Sequence, residues 1–418
     1  MPSGKFSHAL LLAALAAFPA TSVLAQSDES ARIRALEEKL ERSLELIEAL
    51  QRKVEALETG RPTDSAGRLD RIERQLAHSA PASSGAASGT PLRGFADVQA
   101  VTRSGDGEHE AEGFAVGNLD LYLTPDLGGK VRSLVELVFE LEHDGESVAE
   151  IERAQVGYAF DDALTVWAGR FHNPFGYWNN AYHHGAQLQT SITRPAFLEF
   201  EDHGGILPMH GIGLWATGHL EAAGQRFRYD AYLANAPSVN NDGLLDVHPA
   251  GRTDFRAMTG LTLAWQPSAA AGPEFGIHGL NARVDLPTGD LARVRMLGGF
   301  ATYEAGPWSV IAEGYRFDNE TPGASGSHQS SAWFVQAAYA VDALMPFARL
   351  ERASLESDDP YFAALEGGRS YRRAAMGLRF DLTAEAALKL ELARRTTDLA
   401  DGRNERGDEA FVQYAIRF

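Results

Sequence analysis

The feature that most narrows the folds open to this chain is a side-to-side alternation of apolar and charged residues. It begins after Pro91 and continues to Phe418. In "KVRSLVELVFELE", Val131, Ser133, Val135, Leu137, Phe139 and Leu141 fall on one side, and Arg132, Glu136, Glu140 and Glu142 on the other. A repeat of two marks a β-strand, whose successive side chains leave opposite faces. One such strand fits a soluble sandwich, in which the apolar face meets a second sheet. It fits a transmembrane barrel equally, with the apolar face on lipid and the charged face on water.

Strand number and spacing separate the two. Sixteen segments carry the pattern, near 93–102, 114–124, 130–142, 150–160, 164–171, 210–220, 226–235, 254–266, 274–285, 293–304, 308–318, 331–341, 346–356, 371–382, 387–397 and 410–418. Most have the roughly 9–11 residues that cross a bilayer at a tilt. Short connectors such as "TPDLGG", "DDA" and "LTAEA" alternate with long ones such as "NAPSVNNDGLLDVHPAGRT" and residues 172–209. An up-and-down barrel with short periplasmic turns and long external loops sorts its connectors this way, and a sandwich has no reason to. Trp167, Trp265, Trp308, Trp333 and Tyr339 stand near strand ends, where interfacial girdles form. The segment "AFVQYAIRF" sets Val412, Tyr414, Ile416 and Phe418 on one side, a face suited to lipid on a strand that closes against the first. The expected fold is an all-β transmembrane barrel of about 16 antiparallel up-and-down strands (residues 92–418), preceded by an α-helical coiled coil.

The residues before the barrel divide into three. Lys5, the apolar "ALLLAALAAFPA" and small residues at Val23 and Ala25 read as a signal peptide over 1–25, too short to span a bilayer. Residues 26–60 repeat by seven, with Ile33, Leu40, Ile47 and Val54 at a and Leu36, Ser43, Leu50 and Leu57 at d. Ile33, Leu36, Leu40, Ile47, Leu50, Val54 and Leu57 form the expected association seam. β-Branched a residues with Leu at d suit a dimer, whereas Leu44 and Leu46 widen the seam toward three strands, so the heptads leave the oligomer open. Residues 61–91 contain a short helical pattern and "SAPASSGAASGTP", a flexible tether. The net charge of −19 argues against a nucleic-acid partner, and the absence of cysteine excludes disulfides and thiolate chemistry. No later segment has eighteen consecutive apolar residues, so membrane entry is by strands.

A signal peptide, a coiled coil, sixteen strands and a terminal Phe together resemble the trimeric porins of Gram-negative outer membranes. "GRFHNPFG" (Gly169 to Gly176), at the end of the fifth strand, is similar to the G-x-x-x-x-P-F-G segment of the phosphate-selective porin O and P group. The heptad-bearing N-terminus resembles the DcaP-like porins within that group. The resemblance implies a homotrimer in outer-membrane lipid, with the N-terminal segment in the periplasm. It also implies that Phe418 is a signal for the barrel assembly machinery, and that loop 172–209 folds inward as a constriction through which small hydrophilic solutes diffuse. The family's lysine-rich phosphate-binding features are missing here.

Parity puts Arg132, Arg153, Arg170, Arg228, Arg256, Arg293, Arg295, Arg349, Arg373 and Arg379 on the charged faces, with Glu136, Glu140, Asp230, Glu351, Asp381 and Glu391. Glu199, Glu201 and Asp202 form an acidic cluster in the long loop. One reading is an arginine-lined wall facing an acidic loop, a field that orients anionic solutes, because Arg presents a planar fork to carboxylate and phosphate. The other is that these charges pair and hold the lumen together. His183, His184, His203 and His210 recur in the loop region without the spacing of a metal motif, so no metal or cofactor is expected. No catalytic motif appears, and Ser191 with His184 or His203 is the only local Ser/His pairing, so no enzyme is expected. The alternative to a porin is a barrel serving as an anchor, with its loops as adhesin or receptor.

Overall fold

The computed structural model describes residues 92–105, 113–141, 147–248, 255–268, 272–323, 326–399 and 401–418. The signal peptide, the coiled-coil seam and the tether expected over 1–91 lie outside the described residues.

Sixteen long strands form the wall. They are β1 (Leu92–Gly105), β2 (Gly113–Leu123), β3 (Val131–Leu141), β4 (Ser147–Asp161), β5 (Leu164–His172), β6 (His210–Ala222) and β7 (Gln225–Asn235), then, after a small hairpin of β8 (Ser238–Val239) and β9 (Leu245–Asp246), β10 (Ala257–Gln266), β11 (Gly272–Asp285), β12 (Leu291–Ala305), β13 (Trp308–Glu320), β14 (Ser327–Tyr339), β15 (Leu344–Ser354), β16 (Tyr371–Asp381), β17 (Ala386–Asp398) and β18 (Asn404–Arg417). Each wall strand pairs antiparallel with the next, and β7 pairs with β10 across the hairpin. β18 pairs with β1 from Phe95↔Arg417 to Gly105↔Gly407, which closes the barrel and leaves the wall no free edge. All sixteen expected strands are present, with ends shifted by a few residues.

The polarity of the wall is inverted relative to a water-soluble sandwich. On β17, Leu388, Leu390 and Leu392 are exposed, whereas Lys389 and Glu391 between them are buried. On β18, Val412 and Tyr414 are exposed and Gln413 is buried. Only lipid outside and polar partners inside make this alternation favourable. Trp308 and Tyr339 meet edge-on at 4.7 Å on the outer face, as a girdle pair would. Trp167 departs from the girdle expectation. It is buried and stacks on Trp215 at 6.2 Å, and opposite it a Cβ on Gly157 would stand 2.6 Å from its ring.

The register between β3 and β4 shifts once. Glu136 pairs with Arg153 and Leu137 with Ile151, so Glu152 is an extra residue on β4. Such a bulge breaks the parity of the strand. Glu152 and Gln155 are both buried, although three positions apart.

The buried apolar core forms between the inner wall and the connector from β5 to β6. That connector carries α1 (Trp178–Ala181) and two 3₁₀ turns (Ala196–Leu198 and Glu201–His203). Phe171, Phe175, Trp178, Phe197 and Leu198 pack there with Phe317 and Phe334 of the wall. A second cover, α2 (Pro360–Ala364), is capped by Asp359, whose carboxylate accepts the Tyr361 N–H at 2.9 Å.

Candidate functional site

The connector after β5 follows the wall in two passes. On the first, the Thr262 hydroxyl of β10 donates to Pro174 O, Phe175 packs near His278 of β11, and Tyr177 meets Phe300 of β12 at 6.0 Å. Trp178 gives its backbone N–H to Glu313 of β13 at 2.6 Å and sets its ring edge-on to Phe334 of β14 at 5.6 Å. Gly176, the last residue of the "GRFHNPFG" segment, has φ +66°, and a Cβ there would lie 2.3 Å from the Tyr315 hydroxyl. Backbone conformation and space both demand glycine.

On the return pass the wall grips the connector by its backbone. Arg379 of β16 donates to Gln187 O and Gln189 O at 2.5 and 2.8 Å, and Lys389 to Ala186 O and Ser191 O. Glu391 accepts the Ile192 and Thr193 N–H groups at 2.7 and 3.1 Å. Arg349 of β15 donates to Thr193 O and Arg194 O, and Glu351 accepts the Ala196 N–H at 2.7 Å. The Ser191 hydroxyl donates to Thr193 O and accepts from Arg349, so this docking occupies it. Buried backbone polar groups need such partners, and charged side chains are the strongest available.

Each arginine expected on the inner wall has a partner. Arg349 pairs with Glu351 at 3.3 Å, and Arg373 lies 3.1, 3.4 and 3.1 Å from Glu351, Glu391 and Glu409. Arg228 pairs with Asp230 and Glu274, Arg379 with Asp381 at 2.7 Å, and Arg256 with Asp285 at 3.1 Å. Arg293 and Arg295 do not line the inner wall as parity predicted: they share the outward face of β12 with exposed Leu297, because the buried set there is Val294, Met296 and Phe300, and they meet Glu320 at 3.8 and 2.5 Å. Arg132 folds onto the turn before β3, donating to Gly129 O at 2.8 Å. Arg153 pairs with Glu136 and lies over the Tyr122 ring. Arg170 reaches Glu152 at 3.3 Å and contacts His248. Of the acidic loop cluster, Glu201 is buried against His210, Asp202 is exposed, and Glu199 accepts the Phe200 N–H at 3.2 Å. Parity does not mark Arg194, a loop residue. Its guanidinium lies 3.7 Å over Phe200, and its nitrogens make no hydrogen bond.

Where β4, β5 and β6 meet the loop, His172, His183, His184, His210 and Glu152 converge, each offering one ligand atom within 4.8 Å of the others. Glu152 accepts from His184 Nε2 at 2.8 Å and lies 2.6 Å from His210 Nε2. His172 and His183 stack at 3.4 Å. Burial, with His172 and His210 beside it, holds His183 well below the usual imidazole range. Burial also opposes charge on His184, but the Glu152 and Asp120 carboxylates outweigh it and raise that pKa to about 9. For Glu201 burial favours the neutral acid, yet the adjacent His210 wins and lowers its pKa.

No protein-family model matches the chain, and no curated protein matches it in sequence. Solved structures do. An anion-selective porin from Comamonas acidovorans superposes with a TM-score of 0.56 at 14% identity, covering 78% of this chain and 99% of that one. The outer membrane channel DcaP of Acinetobacter baumannii gives 0.53 at 12% identity, covering 79% and 97%. OmpT, an outer membrane protein of Vibrio cholerae in its trimer form, gives 0.52 at 8% identity, covering 79% and 99%. The chain therefore has the fold of the outer-membrane porins.

Proposed function

We propose that this chain is an outer-membrane channel for passive diffusion of small hydrophilic solutes, narrowed by the inward-folded 172–209 loop. The observation that carries this reading is the docking of the loop onto polar wall residues within a closed barrel whose outer face is apolar. A barrel needs neither a polar inner wall nor a charged grip on a long loop merely to sit in lipid. A hydrated path beside that loop gives both a use.

We assign the chain to a Gram-negative outer membrane as a homotrimer. A signal peptide over 1–25 and a periplasmic coiled coil over 26–60 precede the barrel, and Phe418 serves as the mark for the barrel assembly machinery. Solutes are anionic in this reading. Support comes from the density of inner-wall arginines and from the shared fold with an anion-selective porin.

The anchor reading has one observation in its favour. Phe175, Trp178, Phe197 and Leu198 of the loop are buried almost completely, which fills part of the barrel with apolar mass. Single-channel recording of the purified protein in a planar bilayer decides between the two. Stepwise ohmic conductance supports the channel. A barrel that inserts, shown by its heat-modifiable mobility, yet carries no current makes it an anchor.

A further inference from the structure

We propose that Glu152, His183 and His210, with His172 as a fourth ligand, form a binding site for a divalent transition-metal ion of the zinc class, which clasps the long loop to the wall.

Hydrogen-bond roles around the cluster lead to this. The Asn179 amide gives its N–H to Asn173 O at 2.9 Å, so its Oδ1 is the atom facing His183 Nδ1 at 2.7 Å. An amide oxygen only accepts, which places the His183 hydrogen on Nδ1. Glu201 faces His210 Nδ1 at 3.0 Å and fixes that ring in the same way. His183 Nε2 then keeps its lone pair, aimed at His210 Nε2 across 2.8 Å. The Glu152 carboxylate oxygen, 2.6 Å from His210 Nε2, adds a third electron-rich atom to the same spot. His172 Nε2 is buried without a hydrogen bond, 3.5 Å from Glu136. A proton on His210 Nε2 can be shared by Glu152 and His183 but leaves His172 unserved, whereas a metal ion can draw a lone pair from all four.

The surroundings match how imidazole ligands are held. A metal-bound histidine gives its other ring N–H to a carboxylate or carbonyl, as His210 does to Glu201 and His183 to Asn179. Three imidazoles and a carboxylate, with no thiolate in the chain, suit Zn²⁺, Ni²⁺ or Cu²⁺ and not Ca²⁺ or Mg²⁺. Metal–nitrogen bonds of about 2.0–2.1 Å in a tetrahedron set the ligand atoms roughly 3.3 Å apart, so the close pairs open by about half an ångström on binding. Glu152 is on β4, His172 ends β5, His210 opens β6 and His183 belongs to the loop, so the ion would join loop to wall. The site goes beyond the channel reading and is independent of it, because metal content is measurable whether or not the barrel conducts.

The test is zinc content of the full-length protein in detergent, stripped with a chelator, reloaded with zinc chloride and gel-filtered. About one zinc per chain is expected for the wild type, the stoichiometry of a single four-ligand site. His183→Ala with His210→Ala should retain no zinc, while His219→Ala, on β6 but outside the cluster, should match the wild type. Heat-modifiable gel mobility checks the fold of each variant. If the double variant does not fold, Glu152→Gln, nearly the same shape without the ligating charge, should lose its zinc on gel filtration. Cobalt(II) loading should give the visible bands of a tetrahedral nitrogen–oxygen site in the wild type alone. Equal zinc in the wild type and the cluster variants, or none in the wild type, overturns the site.

Discussion

Arg170 shows how a single inner-wall charge can serve two ends. Its guanidinium reaches Glu152 at 3.3 Å and its Nε donates to Glu152 O at 2.9 Å, so it is tied to the bulge beneath the loop. A paired arginine still shapes the local field, because a partner offsets charge without erasing its direction. In the channel reading, Arg170→Ala shifts the reversal potential across a salt gradient toward cations and leaves the conductance steps intact. Unchanged selectivity with flickering current would make Arg170 a clamp on the loop and remove it from the anion path. Arg153, held by Glu136 on the neighbouring strand, is the internal comparison, since it lies over Tyr122 whereas Arg170 contacts His248.

At the scale of elements, two predictions separate the inside of the barrel from the outside. Shortening the loop between Asn179 and Gln189 removes part of the return pass together with His183, and should raise single-channel conductance. A constant conductance and solute cutoff would place the conducting path away from this loop. On the wall, Leu390 pairs with Leu378 on one side and Val412 on the other, all three exposed on the outer face. Leu390→Arg should cost about 2–4 kcal/mol near the bilayer midplane, read by urea titration of folding into lipid vesicles. A change near zero would mean that this face meets water or protein. The strands themselves were readable from sequence, because the contrast of lipid and water forces a period of two, as in Leu388 to Leu392. Glu152 was not, because the bulge reverses parity and only the pairing register shows it. Trp167 misled because an aromatic at a strand end suits a girdle and an inner wall equally well. The histidine cluster was hidden because residues 152, 172, 183, 184 and 210 meet only through the return path of the loop.

For the whole molecule, the coiled coil and the barrel make separable contributions to assembly in our reading. The heptads precede a flexible tether, and the barrel closes through its own β1–β18 seam. Deleting residues 26–91 should therefore leave a heat-modifiable barrel whose trimers dissociate more readily in native gels. Trimers of undiminished stability would assign oligomerisation to the barrel walls alone.

The grip of the wall on the loop backbone has a consequence for how such a protein can change over generations. Arg379, Lys389 and Arg349 bind carbonyls, and Glu391 and Glu351 bind N–H groups, which every residue but proline supplies alike. Apart from Ser191 and Thr193, whose hydroxyls also bond Arg349 and Glu391, the path of the loop is thus largely indifferent to which side chains it bears from Ala186 to Ala196. Selection can edit those side chains one at a time, trying new tastes in solute, without having to reinvent the scaffold that presents them.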